Sequence, residues 1–219
     1  ALLCVTSKDL NFFKFKENLS YKKIRQITSS VGVKIEKKEN NLNKNSNKII
    51  FYGSLWYEPN LTALFWLIDK VIKKVWRKNK KIELIIAGSN PPKKLIYLCS
   101  KHKNISIIKN PYDMKKLIIS SKLSIAPMLS GSGQQFKIID SLINGIPVVT
   151  TSKGSIPLGL KDGKHLLVAD SSKLFAQSII RLFNDKSLAD NLALNGRNHA
   201  IYNFTWKNIT KKLVNDLFS

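Results

Sequence analysis

Residues 126–151 read APMLSGSGQQFKIIDSLINGIPVVTT, the stretch of the chain richest in chemical possibility. An apolar run ends at Pro127, a turn of small residues follows at Ser130-Gly131-Ser132-Gly133, and a helical pattern then extends over 134–144. A turn so rich in glycine lets backbone approach a ligand without Cβ clashes. It also delivers the chain into a helix N-terminus, where free N–H groups and about half a unit of positive charge favour an anion. Phosphate is the natural guest. Asp140, counted from Gln134, lies about 9 Å along the helix axis at 1.5 Å per residue. One ligand can then place a diphosphate at the helix start and sugar hydroxyls at the carboxylate, which accepts hydrogen bonds from paired hydroxyls. Taken singly, these features also suit plainer roles: a turn that permits tight packing, and an acid on the surface.

Other reactive side chains carry weaker signals. The first strand of the alternating region is followed by GSLWYEPN, without G-x-G-x-x-G, and G-x-x-x-x-G-K-[ST] occurs nowhere, which disfavours a nicotinamide Rossmann site and a P-loop NTPase. His102, His165 and His199 are far apart in sequence, with no nearby Cys or paired acids, so no metal site is expected. Trp56 and Tyr57 follow a strand and suit either stacking on a base or sugar, or packing against a neighbouring loop. Cys99 reads as a small core residue and Trp206 as an anchor for the last helix.

The elements that must position these groups alternate from residue 48 onward. Strand-like runs occupy 48–53, 82–88, 104–109, 123–127, 146–151 and 164–169, all short, rich in Ile, Val and Leu, and apolar on both faces. Helical patterns lie between them at about 60–79, 91–102, 113–121 and 134–144, the last closed by the stop signal Asn144-Gly145. This is the βαβ signature of an α/β, doubly wound parallel sheet. Helices alone follow, at 172–184, 186–202 and 205–218. Near the start, ALLCVTS and KKIRQITSSVGV read as strands and DLNFFKFKEN as a short helix, while EKKENNLNKNSN has the composition of a linker. The expected organisation is a tail of one α/β lobe at 1–35, a hinge at 36–47, a complete second lobe at 48–203 and a C-terminal helix at 204–219.

Composition bounds the rest. The 219 residues are 43% hydrophobic, ordinary for a globular protein, and two cysteines exclude a disulfide framework. No apolar run reaches 18 residues and no signal peptide is visible, so the expected setting is cytoplasmic, with a chain incomplete at its N-terminus. The formal net charge of +23 comes from 37 Lys and Arg against 14 Asp and Glu. Such charge suits nucleic acid or an anionic membrane surface. Only Arg25, Arg77, Arg181 and Arg197 are arginines, which disfavours specific nucleic-acid recognition, and codon composition is an alternative source of Lys, Asn and Ile. Leu64, Leu67, Ile68, Val71, Ile72 and Val75 form one helical stripe, and Lys70, Lys73, Lys74, Arg77, Lys78 and Lys81 form a second about a third of a turn away. The apolar stripe is expected on a sheet. The basic one is either a solvated face or a rest for anionic lipid headgroups on the inner face of a membrane.

Blocks 51–67, 82–92, 131–151, 162–170 and 204–218, in that order, resemble the donor-binding lobe of family-four glycosyltransferases, which have the two-lobed GT-B fold. LLCVTSKDLNFF and ITSSVGV also resemble the end of the first lobe as it enters the hinge. The resemblance implies a Rossmann-like lobe that holds a nucleotide-sugar, UDP- or GDP-linked, for retaining transfer of a hexose to a saccharide or lipid-linked acceptor, in polysaccharide biosynthesis. It implies no metal and no cofactor beyond the donor itself, and a terminal helix that returns to the first lobe. Gly133 and its neighbours Ser130, Gly131, Ser132, Gln134, Gln135 and Phe136 would face the diphosphate. Asp140 would hold the ribose hydroxyls, Asn110, Pro111 and Tyr112 would line the base, and Gly53 and Ser54 would face the cleft. Many members carry two glutamates eight positions apart, where this chain has Ser132 and Asp140. Many also carry Arg and Lys after the first strand, where GSLWYEPN has no cation; Lys137 either substitutes for them or is an exposed helix lysine. With the catalytic groups of the acceptor lobe outside this chain, it is expected to bind nucleotide and transfer nothing alone. The rival readings are a basic nucleic-acid-binding domain and a degenerate, non-catalytic lobe.

Overall fold

The computed structural model describes residues 46–218 except Ser132, together with two short strands near the start. Those strands, β1 (Leu3–Cys4) and β2 (Ile27–Thr28), pair in parallel, Leu3 opposite Ile27. They fall within the two runs expected to be strands. The short helix expected between them and the hinge lie outside the described residues, apart from Ser46 and Asn47.

Six strands form the main sheet: β3 (Lys48–Tyr52), β4 (Glu83–Gly88), β5 (Ile105–Lys109), β6 (Leu123–Ala126), β7 (Val148–Thr150) and β8 (Leu167–Val168). Their order is β5-β4-β3-β6-β7-β8, and every pairing is parallel. The strand runs in the sequence therefore locate all six, with ends trimmed by one to three residues at most positions. Alternation along β3 divides the core. Ile49 and Phe51 point into one apolar cluster, while Ile50 and Tyr52 point into another on the opposite face. In β4, Leu84 and Ile86 join the first cluster, and Ile85 and Ala87 the second. Burial on both faces explains why these strands read as continuous apolar runs rather than alternating ones. The edge strand β5 departs from that expectation, with Ser106 and Lys109 exposed.

The crossover after β3 is α1 (Glu58–Trp66), a π-helical turn at Leu67–Ile72, and α2 (Lys73–Lys78). Its expected apolar stripe, from Leu64 to Val75, is almost wholly buried against the sheet. Each such Leu, Ile or Val contributes about 1.5–3 kcal/mol relative to exposure. The remaining helices are α3 (Lys93–Ser100), α4 (Met114–Ile119), α5 (Phe136–Ile143), α6 (Ser152–Ser155), α7 (Ser172–Asn184), α8 (Lys186–Phe204) and α9 (Trp206–Phe218). The α6 turn, continued by a 3-10 turn at Ile156–Leu158, has no counterpart in the periodicity, because four residues carry too little of it. Cys99 is buried in the core as expected, and burial pushes its thiol up to about 11. Trp206 does not anchor the last helix: it is 52% exposed, and Phe204, Thr205 and Ile209 are the buried residues at that junction. A Trp at the first position of a helix lies on whichever face the preceding turn sets, which sequence spacing does not specify.

Candidate functional site

The strand order reverses at β3, which has β4 on one side and β6 on the other. In open parallel sheets a crevice forms at such a reversal, outside the carboxyl ends of the strands. Here it is a cleft of about 430 Å³. From the β3 side it is lined by Tyr52, Gly53 and Ser54, then by Tyr57, Pro59 and Asn60 at the start of α1. From the β6 side it is lined by Met128, Gly131 and the stretch from Gln134 to Lys137, with Asp140 deeper along α5.

Backbone hydrogen bonds hold the β3 rim. Gly53 N–H donates to the Ala87 carbonyl at 3.1 Å, and Leu55 N–H to that of Ser89 at 2.9 Å. Gly88 permits this closeness, since a Cβ there would lie 1.7 Å from the Gly53 oxygen. On the other rim, the Thr151 hydroxyl donates to the Met128 carbonyl at 2.6 Å and the Thr150 hydroxyl to that of Ala126 at 2.7 Å. The glycines of the turn adopt φ of +95° at Gly131 and +93° at Gly133. Other residue types reach such angles only with strain; Gln135, at φ −88° and ψ 84°, is still outside the helix, so α5 starts at Phe136 rather than Gln134. Asp140 is consequently about 6 Å from the helix start, not 9 Å. The N-cap residue, Gln135, makes no capping hydrogen bond with its own side chain. Asn144 closes the helix, followed by Gly145 at φ +72°, as the stop signal predicts.

Lys137 is the electrostatic centre of the cleft. It is 9% exposed, which rules out the exposed helix lysine. Its ammonium donates to Asn60 Oδ1, lies 3.6 Å from Met128 Sδ and sits 4.6 Å from the centre of the Phe51 ring. Among the described residues no carboxylate forms an ion pair with it. Burial pushes its pKa down to about 8. The Tyr52 phenol, at the end of β3, donates to the Lys137 carbonyl at 2.6 Å and lies 3.0 Å from the Ser141 hydroxyl, so the first turns of α5 are tied to the sheet. Burial, and then the neighbouring Asp140 charge, push that phenol well above its ordinary range. Asp140 is half-buried, and desolvation raises its own pKa.

Not every expected site residue meets at the cleft. Gly53, Ser54, Gly131, Gln134, Gln135, Phe136, Lys137 and Asp140 line it together. Ser130 and Gly133 lie in the same turn but outside the lining, and a Cβ on Gly133 would meet open space. Ser132 falls outside the described residues. Asn110, Pro111 and Tyr112 follow β5, two strands away from the reversal, and are not part of the lining. Asn110 N–H donates to the Gly88 carbonyl at 2.9 Å, and Tyr112 is fully exposed. Sequence reasoning missed Asn60, Pro59, Met128 and Tyr52. Asn60 had a partial signal, as an amide one residue after a proline at a helix start. Nothing local pointed to its meeting with a lysine 77 positions on.

Two further groupings arise only in three dimensions. His165 and His199 stack with ring centres 4.3 Å apart. His165 Nδ1 accepts from Lys161 N–H at 3.1 Å, and burial, His199 and the nearby Lys164 and Lys161 hold its pKa down. Among the described residues no group of three or more His, Cys, Asp and Glu is placed to hold a metal ion. The basic stripe is largely exposed as expected, with Asp69 pairing to Lys70 and Lys73 at 2.9 and 3.6 Å. The turn that carries Lys101 and Lys103 packs beside its C-terminal end, where Asn104 Nδ2 donates to the Lys80 carbonyl at 2.8 Å and the Trp76 and His102 rings lie 5.5 Å apart.

Comparison with known proteins agrees with this fold. The family model described as glycosyl transferases group 1 matches residues 46–185. A 44.6 kDa protein of the cps region of Klebsiella pneumoniae is 31% identical over 179 residues, covering 78% of this chain and 45% of that protein. Crystal structures supply the fold likeness. S. aureus TarM, solved with Fondaparinux, alpha-GlcNAc-glycerol and UDP, superposes with a TM-score of 0.80 at 18% identity, over 99% of this chain and 43% of TarM. The pneumococcal O-GlcNAc transferase GtfA, solved with UDP and GlcNAc, gives 0.75 at 15% identity, over 99% of this chain and 45% of GtfA. The chain thus spans less than half the length of these relatives.

Proposed function

Because this chain belongs to the glycosyl transferases group 1 family, we propose that its cleft binds the nucleoside diphosphate of an activated sugar, as the donor lobe of a GT-B glycosyltransferase. The single observation that carries this reading is the buried Lys137 ammonium. It faces the cleft beside the start of α5 and the Gly131–Gly133 turn, with no carboxylate in an ion pair with it among the described residues. An unneutralised buried cation is costly, and an anionic ligand relieves that cost. The diphosphate lies against Lys137 and the helix start, and Asp140 accepts from the ribose hydroxyls. The base extends past Gly53 and Ser54 toward Asn110, Pro111 and Tyr112.

In this reading the parent enzyme transfers a hexose with retention to a saccharide or lipid-linked acceptor held by a first lobe. Residues 1–35 are the tail of that lobe, 36–47 the hinge, and α9 the helix that returns to it. As the bond from the sugar to the diphosphate breaks, negative charge grows on the departing oxygens, where Lys137 and the helix N-terminus stabilise it. UDP is the first nucleotide to test, because TarM and GtfA were solved with it.

Among the described residues no helix is long and apolar enough to cross a membrane. The basic cluster around Lys78, Lys81, Lys101 and Lys103 favours a cytoplasmic protein resting on an anionic membrane surface, since each cation near such a surface contributes about 1 kcal/mol.

The direct test is calorimetric titration of the chain with UDP and GDP. One of the two binds the wild type, and Asp140→Ala weakens it. A wild type that binds neither ends the donor-lobe reading.

A further inference from the structure

Asn60 occupies a buried position where it bonds in two directions. It lies in the first turn of α1, 5% exposed, and uses both ends of its amide. Its Nδ2 donates to the Ser54 carbonyl at 2.9 Å, and its Oδ1 accepts from Lys137 Nζ. A carbonyl oxygen can only accept and an ammonium can only donate, so the orientation of the amide is fixed by chemistry. Gly53 closes the group from behind, where an added Cβ would come within 3.2 Å of Asn60 Nδ2 and 3.7 Å of Lys137 Nζ. One amide thereby joins the loop after β3, the start of α1 and the first turn of α5.

That loop, GSLWYEPN, contains no cation. The positive charge of the cleft arrives instead from α5, and something must keep a flexible lysine stem from swinging away. Met128 and the Phe51 ring hold its sides, but neither accepts a strong hydrogen bond. Asn60 is the only strong acceptor that the described structure gives to this ammonium.

We infer that Asn60 is a positioning residue for the donor diphosphate: it holds the Lys137 ammonium in the cleft, so that a cation carried by α5 serves where the loop after β3 supplies none. This rests on the donor-lobe reading above. The other titratable groups that line the cleft with Lys137 are the Tyr52 phenol of β3, bonded to the Lys137 carbonyl, the Tyr57 phenol just before α1, and Asp140 on α5. None of them bonds to Nζ.

The experiment titrates the 219-residue chain and its Asn60→Ala, Asn60→Ser and Asn60→Asp variants with UDP and with uridine, between about pH 7.5 and about pH 9, where the ammonium changes charge. In the wild type UDP affinity falls across this range and uridine affinity stays flat. Asn60→Ala and Asn60→Ser weaken UDP by about tenfold, leave uridine unchanged, and move the fall to lower pH. Asn60→Asp also weakens UDP, since its carboxylate competes with phosphate for the ammonium, but moves the fall to higher pH. A merely structural asparagine would weaken uridine as much as UDP, or leave the UDP profile of every folded variant like that of the wild type; either result overturns the inference. A readout on the wild type alone covers variants that do not fold. In chain labelled with 13C at lysine Cε, UDP must raise the titration midpoint of Lys137, and a midpoint indifferent to bound UDP also overturns it. Wild-type chain that binds neither UDP nor GDP defeats the donor-lobe reading itself. Normal wild-type binding with indifferent Asn60 variants defeats only the role of Asn60.

Discussion

Asn60 Oδ1 accepts a hydrogen bond from Lys137 Nζ across a separation of 77 residues, joining the first turn of α1 to the first turn of α5. The contact closes the back of the cleft, and it leaves the charge on Lys137 available to a ligand. The behaviour of that charge gives the first test of the site.

The Lys137 pKa is pushed down to about 8 from an ordinary 10.5. Between those values the unfolded chain binds more protons than the folded one, so the stability of the ligand-free chain rises with pH across this window. Diphosphate affinity moves the other way, because the ammonium loses its proton. In thermal melts the midpoint without UDP will rise with pH across this window while the increment added by UDP shrinks. Lys137→Met abolishes both, keeps or raises the melting temperature of the ligand-free chain, and lowers UDP affinity by about tenfold or more.

Asp140 has its pKa raised above the ordinary 3.8 by burial. Its stabilising contribution is greatest below the unfolded value and is lost as pH rises through the folded one. Asp140→Asn therefore raises the melting temperature by a few degrees at neutral pH, and the gain vanishes as pH falls toward that of the unfolded carboxyl. The same change weakens both UDP and uridine but spares inorganic pyrophosphate, if the carboxylate holds ribose. Differential scanning calorimetry and isothermal titration give the two halves of this result.

Two glycines at the cleft rims should respond differently to alanine. Gly88→Ala brings a Cβ within 1.7 Å of the Gly53 oxygen, between two paired strands that cannot part. The expected result is a chain that does not reach the soluble folded state. Gly133→Ala meets open space and costs only the strain of its φ of +93°, about 1–3 kcal/mol. That variant should fold, with a lower urea midpoint and weaker UDP binding.

The basic cluster yields a separate prediction. Vesicles containing phosphatidylglycerol should sediment the chain at low salt and release it as salt rises, while phosphatidylcholine vesicles leave it in solution. Reversing Lys78, Lys81 and Lys103 to Glu together should abolish sedimentation without changing UDP affinity. Equal retention of the triple variant would remove the membrane role. Tight, salt-sensitive binding to duplex DNA by the wild type, with no response to vesicles, would favour nucleic acid instead.

Local chemistry was enough for the frame. Short runs of Ile, Val and Leu, each bounded by turn residues, located the six strands of the main sheet, because a strand buried on both faces needs apolar residues throughout. The stripe from Leu64 to Val75 located the buried side of the first crossover, and the Gly131–Gly133 turn marked the approach to α5, because glycine at positive φ is a property of a few adjacent residues. The partners across the sheet belong to the tertiary structure. That Lys137 is buried and donates to Asn60 follows from a strand order that reverses at β3, while the stacking of His165 on His199 and the bond from Asn104 to the Lys80 carbonyl follow from other packings that the sequence does not record. That reversal sets the loop after β3 beside the loop after β6, although three crossovers separate them along the chain. Periodicity records which face of an element is apolar, but not which element will lie against it. The cleft's charge and its geometry were therefore decided by packing.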